Sequence, residues 1–126
     1  MSDWEALGGD AVMVPLFTDF YRRIDASPIR KLFPPDLTET REKQIAFQRM
    51  FWGGEDRYTP WRGHPRLRAR HLPFPIGVPE AEAWMACMEA AVAASAIPEA
   101  LRAPLLSQLR KTAYAMVNRA PAAGSG

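Results

Sequence analysis

The segment RGHPRLRARHLPFPIG, residues 62–77, holds both histidines of the chain, His64 and His71, among Arg62, Arg66, Arg68 and Arg70. A shared metal ion is the first chemistry to consider. On a helix, a seven-residue spacing puts two side chains on one face but about 10 Å apart along the axis, too far to chelate one ion. No other group of Cys, His, Asp or Glu in the chain has ligand spacing, so a zinc site is not expected. Nucleophilic catalysis would need Cys87 beside one of these imidazoles. Cys87 falls on an apolar helix face, the setting of an inert thiol.

A single histidine can still hold a metal that brings its own four ligands, as haem iron does. His71 suits that role. Leu67 stands four residues earlier on the same helix face, where an apolar side chain would pack beside the ring. Pro73 closes the helix just past His71. The arginines on the other faces could meet two propionates through charge-assisted bonds. The same residues admit plainer readings: a surface or capping histidine, and a solvated or phosphate-binding arginine cluster.

The elements that must position these side chains are helical. Leu16, Phe17, Phe20, Tyr21 and Ile24 form an apolar stripe at helical spacing. Ser27 can cap a short turn carrying Ile29, Leu32 and Phe33. A longer helix is expected from about Thr38 to Trp52, ending at Gly53-Gly54. Residues 79–94 form another, with Trp84 and Met88 on one face, and Leu105, Leu109, Ala113 and Met116 mark the last. Most of the twelve prolines fall where a helix could begin, as at Pro28, Pro65, Pro79 and Pro98. Pro104 predicts a break or a fresh start in the last helix. Both Gly-Gly pairs, 8–9 and 53–54, punctuate helix ends. The fold class expected is all-α, with five or six helices and a loop-rich stretch at 53–63.

At 126 residues with 48% hydrophobic content, the chain is expected to form one domain with a real core. Its formal net charge of +2 does not by itself imply nucleic acid or membrane as a partner. The one cysteine excludes an internal disulfide and suits a reducing compartment. The opening residues lack the pattern of a secretion signal, and no stretch approaches the roughly 18 apolar residues of a membrane helix, so a cytoplasmic location is expected. The tail APAAGSG, residues 120–126, reads as disordered.

The motifs also stand in a telling order: ALGG at 6–9, FY at 20–21, FWGG at 51–54, Tyr58, the histidine segment, Trp84 and MVNR at 116–119. Together they closely resemble the group II truncated haemoglobins, over about residues 3–119. The resemblance implies a two-over-two α-helical globin domain over residues 1–119, built around one b-type haem.

It also implies roles for particular residues. His71 matches the iron ligand, whereas His64 matches a motif residue that does not bind iron and is expected to cap the short helix holding His71. Trp84 matches the tryptophan that points its indole N–H at a bound gas, and Tyr21 the distal tyrosine of the first long helix. Counted from FWGG, Gln44 falls at a distal position and Thr40 where ordinary globins keep a distal histidine. Phe33 matches an aromatic that packs on haem and is often tyrosine in this group, and Phe47 falls at a haem contact beside Leu67. Tyr58, Arg66 and Arg70 are candidates for the propionates.

The chemistry follows from those donors. A gas on ferrous haem carries partial negative charge, and N–H or O–H groups in a dry pocket stabilise it. Trp84 only donates, Tyr21 donates or accepts, and Gln44 offers an amide. The expected function is binding of O2, with other diatomic gases or small anions. A carrier, an NO dioxygenase and a peroxidase-like enzyme all remain open, and an enzymatic cycle would need an external reductase. Monomer and homodimer are both compatible. The competing class is a small helical nucleic-acid-binding module that uses the 62–70 arginines on phosphates. The near-neutral charge and the lack of a second basic helix speak against it.

Overall fold

The helix starts and stops follow local chemistry. In the computed structural model, which describes residues 2–119, Ser2 accepts a hydrogen bond from the Glu5 N–H at 3.2 Å and opens α1, Asp3–Leu7. Gly8 closes α1 with φ 122°, where a Cβ would collide with Val12. Only glycine lets the chain turn there directly into α2, Gly9–Asp25. The Ser27 hydroxyl donates to the Ile24 carbonyl at 2.8 Å and accepts from the Ile29 N–H at 3.3 Å. It thus joins α2 to a 3₁₀ turn at Arg30–Leu32, whose N-cap is Ile29 rather than Ser27. The remaining helices are α3 (Thr38–Phe51), α4 (Thr59–Arg62), α5 (Leu67–His71), α6 (Val78–Ala93) and α7 (Glu99–Ala115). No strand occurs among the described residues, so the all-α class holds. The tail at 120–126 lies outside them.

Three expectations about the elements need correction. Five or six helices are expected, and seven α-helices besides the 3₁₀ turn occur among the described residues, one of them inside the loop-rich stretch 53–63. Asp56 accepts the N–H groups of Tyr58 at 3.0 Å and Thr59 at 2.8 Å, and this nucleates α4. The prolines do not open helices quite as expected: Pro65 precedes α5 by two residues, Pro98 is the N-cap of α7, and Pro79 lies at the second position of α6. Pro104 does not break α7, which runs through it. Pro104 and Ala100 are both exposed, so water can satisfy the Ala100 carbonyl that the missing N–H leaves free. Pro15 is tolerated inside α2 in the same way.

The core explains the packing. Met13, Phe17, Phe20 and Ile24 from α2 meet Met85, Met88 and Val92 from α6, all essentially without solvent exposure. α2 also packs on α3, and α6 on α7. The result is two helix pairs stacked through α2 and α6, the two-over-two arrangement. A second, smaller cluster joins Ala46 and Phe47 of α3 to Tyr58. At the far end, Asp10 accepts from Arg49 at 3.1 Å and from the Trp4 indole at 2.8 Å. The guanidinium holds the Asp10 carboxyl below its usual range. No helix among the described residues is long and apolar enough to cross a membrane.

Candidate functional site

Between the two clusters lies a cavity of about 510 Å³. Its walls come from α2, the 3₁₀ turn and all the helices from α3 to α7. Tyr21, Phe33, Thr40, Gln44, Phe47, Tyr58, Leu67, Arg70, His71 and Trp84 all line it. Residues separated by up to 63 positions are thereby brought to one space.

One wall is set by packing. Phe20, fully buried, stands edge-on to Trp84 at 5.0 Å and to Tyr21 at 4.8 Å. Phe33 meets Tyr21 edge-on at 6.2 Å from the other side. One phenylalanine therefore orients both the indole and the phenol. Burial pushes the Tyr21 phenol well above the ordinary tyrosine range, so its hydroxyl stays protonated and able to donate. Among the described residues neither the Tyr21 hydroxyl nor the Trp84 indole is given a protein partner. Gln44 and Thr40 stand one turn apart on α3, half-buried, and face the same space.

The opposite side is set by hydrogen bonds. His71 Nδ1 lies 2.6 Å from the Leu67 carbonyl, one turn back on α5. Arg70 Nη2 donates to the carbonyls of Arg62 at 2.8 Å and His64 at 3.2 Å. His64 Nδ1 accepts from the Arg66 N–H at 3.2 Å, so it steadies the start of α5 without being its N-cap. Among the described residues no group of three or more His, Cys, Asp or Glu could hold a bare metal ion. Cys87 does not line the cavity, and burial pushes its thiol up, which leaves it unreactive.

Comparison with known proteins now bears on this geometry. A family model described as bacterial-like globin matches residues 2–118. The group 2 truncated haemoglobin of Bacillus subtilis is 42% identical over 120 residues, covering 94% of this chain and 90% of its own. The solved group II truncated haemoglobin of Bacillus anthracis superposes with a TM-score of 0.94 at 40% identity, covering 99% of this chain and 97% of that one. This chain belongs to the group II truncated haemoglobins. A truncated oxygen-avid haemoglobin from Bacillus subtilis is a further solved likeness, with TM-score 0.89, 41% identity, and coverage of 94% and 100%.

Globins bind haem, and haem-based gas binding is the function that membership carries for this chain. The residues present fit the group. Arg62 Nε and Arg70 Nε are buried without a hydrogen-bond partner, and both residues line the cavity. Two orphaned guanidinium donors at one rim suit a dianionic cofactor. Arg66 does not belong with them. It is exposed, off the cavity wall, and sits at the α5 N-cap with φ 45°. That left-handed residue breaks the helical period that would have carried it inward.

Arg62 lines the cavity and Arg66 does not. Lys43 and Gln48 of α3, Phe74 after α5, Leu109 of α7 and Met116 at its C-cap also line this haemoglobin's pocket, and the sequence does not mark them as site residues. The apolar stripe of the last helix was the available signal for the α7 pair.

Proposed function

We propose that this chain holds one b-type haem in the cavity, with His71 Nε2 as its protein ligand, and binds O2 and other small ligands against Trp84, Tyr21 and Gln44. The observation that carries the reading is the 2.6 Å contact between His71 Nδ1 and the Leu67 carbonyl. A carbonyl can only accept, so Nδ1 keeps its proton and Nε2 is left with a free lone pair. That is the tautomer a metal requires, fixed by its neighbour.

The other residues divide the remaining work. Haem, when bound, supplies an iron that passes electron density to a diatomic gas. Trp84 and the protonated Tyr21 offer donors already oriented by Phe20, which favours a partly negative ligand over a neutral one. Gln44 can add an amide proton. Arg62 and Arg70 present their orphaned donors to the propionates, and Phe33, Phe47 and Leu67 supply apolar contact. Likeness to an oxygen-avid haemoglobin supports O2 as the principal ligand. A strongly hydrogen-bonded gas suits a carrier or an NO dioxygenase or peroxidase-like enzyme served by an external reductase. A nucleic-acid module built on the arginines loses its footing, because Arg70 turns inward onto backbone carbonyls.

The test is spectroscopic. The purified protein should show a Soret band that shifts with O2 and with CO, at one haem per chain. A protein that stays colourless and refuses stoichiometric haem on reconstitution overturns the proposal.

A further inference from the structure

Asn118 lies three residues past the end of α7 and does not line the cavity. Its side chain nevertheless reaches back to the histidine segment. Nδ2 donates to the carbonyls of His71 at 3.1 Å and Phe74 at 2.9 Å. Oδ1 accepts the Ile76 N–H at 3.1 Å, and the Asn118 backbone N–H donates to the Ile76 carbonyl at 2.8 Å. Both amide protons and one lone pair are therefore engaged by a single loop, residues 71–76.

That loop needs an anchor. α5 is five residues long and none is fully buried; Leu67 at its start packs part-buried on the Ala46, Phe47 and Tyr58 cluster, while Leu72 and Phe74 beyond its end are exposed. The Leu67 carbonyl orients the His71 ring, but Leu67 belongs to the same short helix. It fixes the ring relative to α5, not α5 relative to the protein. Asn118 comes from the end of α7, whose Leu105 and Leu109 are in the core. The neighbouring tie, Arg68 Nη2 to the Val117 carbonyl, is longer, at 3.3 Å, and exposed.

We propose that Asn118 is a positioning residue for His71, a clasp that holds the C-terminal end of α5 against the core and so sets where the imidazole stands. The inference rests on His71 being the iron ligand. The amide is suited to the task because the loop offers two carbonyls and one N–H, and asparagine offers two donors and one acceptor on a short stem. Aspartate has the same shape and keeps the acceptor. It would turn both donations into contacts between a carboxylate and carbonyl oxygens.

The experiment compares Asn118→Asp and Asn118→Ala in the haem-loaded protein. The first readout is the iron–histidine stretching band of the deoxy ferrous form by resonance Raman. The second is haem transfer to an acceptor globin, and the third is exchange of the Ile76 amide proton. The band should shift and broaden in both variants, and haem loss should quicken about tenfold, the worth of one to two net hydrogen bonds. Ile76 exchange should quicken in Asn118→Ala and change less in Asn118→Asp.

A His71→Gly background with added imidazole separates positioning from general loosening. There the ligand is detached from the backbone, and Asn118→Asp should leave the iron–imidazole band unmoved. If the band in the His71 protein is unchanged by either variant while thermal stability falls, Asn118 is merely structural and the proposal fails. If the wild-type protein lacks an iron–histidine band altogether, the ligand assignment falls first and takes the clasp with it.

Discussion

The two sides of the cavity are built by different means. On the α2 and α6 side, the donors Tyr21 and Trp84 are held by a phenylalanine with no solvent exposure, inside the main core. On the α5 side, His71 sits on a short helix with no fully buried residue, where Leu67 alone packs part-buried on the smaller cluster, and it is secured chiefly by hydrogen bonds to backbone carbonyls. Packing gives a stiff wall whose geometry is shared among neighbours, so disturbing it costs stability. Hydrogen bonds give a wall that can be adjusted one group at a time. Tyr21 and Trp84, the proposed gas donors, are thus coupled to the fold, and His71, the proposed iron ligand, is held more by local bonds than by packing.

The largest break in that contrast comes from the two anchoring residues. His71→Ala should lose haem during purification, read as loss of the Soret band, while the helical circular dichroism persists. Phe20→Ala should do the opposite in kind. Truncating a buried phenylalanine costs about 3–5 kcal/mol, so it should lower the denaturation midpoint strongly. If His71→Ala unfolds the protein and Phe20→Ala does not, the contrast between the two walls is wrong.

A finer cut is Trp84→Phe, which keeps bulk and removes the N–H. Loss of a hydrogen bond to a partly charged ligand is worth about 1.5–3 kcal/mol, or roughly 10- to 150-fold in affinity. O2 release should accelerate accordingly and CO release much less. Equal effects on both gases would mean that Trp84 acts by shape alone.

The alkaline limb sharpens the distal side further. The Tyr21 phenol is raised above the ordinary 10.0 by burial. Its folded pKa exceeds its unfolded one, so the stability from keeping it neutral is complete below about pH 10 and declines above it. Tyr21→Phe should flatten that decline in pH-dependent denaturation, and O2 release by the parent protein should stay flat up to pH 10. A wild-type O2 off-rate that titrates near neutrality counts against the donor role.

The smallest difference expected is among the arginines. Arg62→Ala and Arg70→Ala should speed haem transfer a few-fold, whereas Arg66→Ala should leave it unchanged, because only the first two line the cavity and carry a buried Nε without a partner. The scale is modest because half-exposed ion pairs are worth about 0–1 kcal/mol.

How far these features were legible differs by region. α3 was expected from Thr38 to Trp52 and spans Thr38–Phe51, because its apolar period and its closing glycines are local signals. The ring positions of Tyr21 and Trp84 were legible through motif likeness, but the buttress that orients them was not. In the sequence Phe20 is one more stripe residue, and its two edge-on contacts exist only in the folded chain. Arg66 lies off the cavity wall, which spacing could not show: spacing presumes one continuous helix, and the left-handed φ of 45° interrupts it. Asn118 bonds across 42 to 47 residues, and nothing in its immediate surroundings announces such a partner.

The shortness of α5 has a consequence for assembly. Isolated helices below about 12 residues rarely persist in water, because the nucleation cost outweighs so few bonds. A five-residue helix with no fully buried residue therefore borrows its order from what its residues grip. Before the cofactor arrives, the chain should already own its aromatic wall while the histidine wall flickers open, the lowest-energy opening of the molecule. Haem capture and the last folding step would then be one event. The rate of cofactor escape would be set by how often a single turn of backbone comes undone, with the rest of the protein standing.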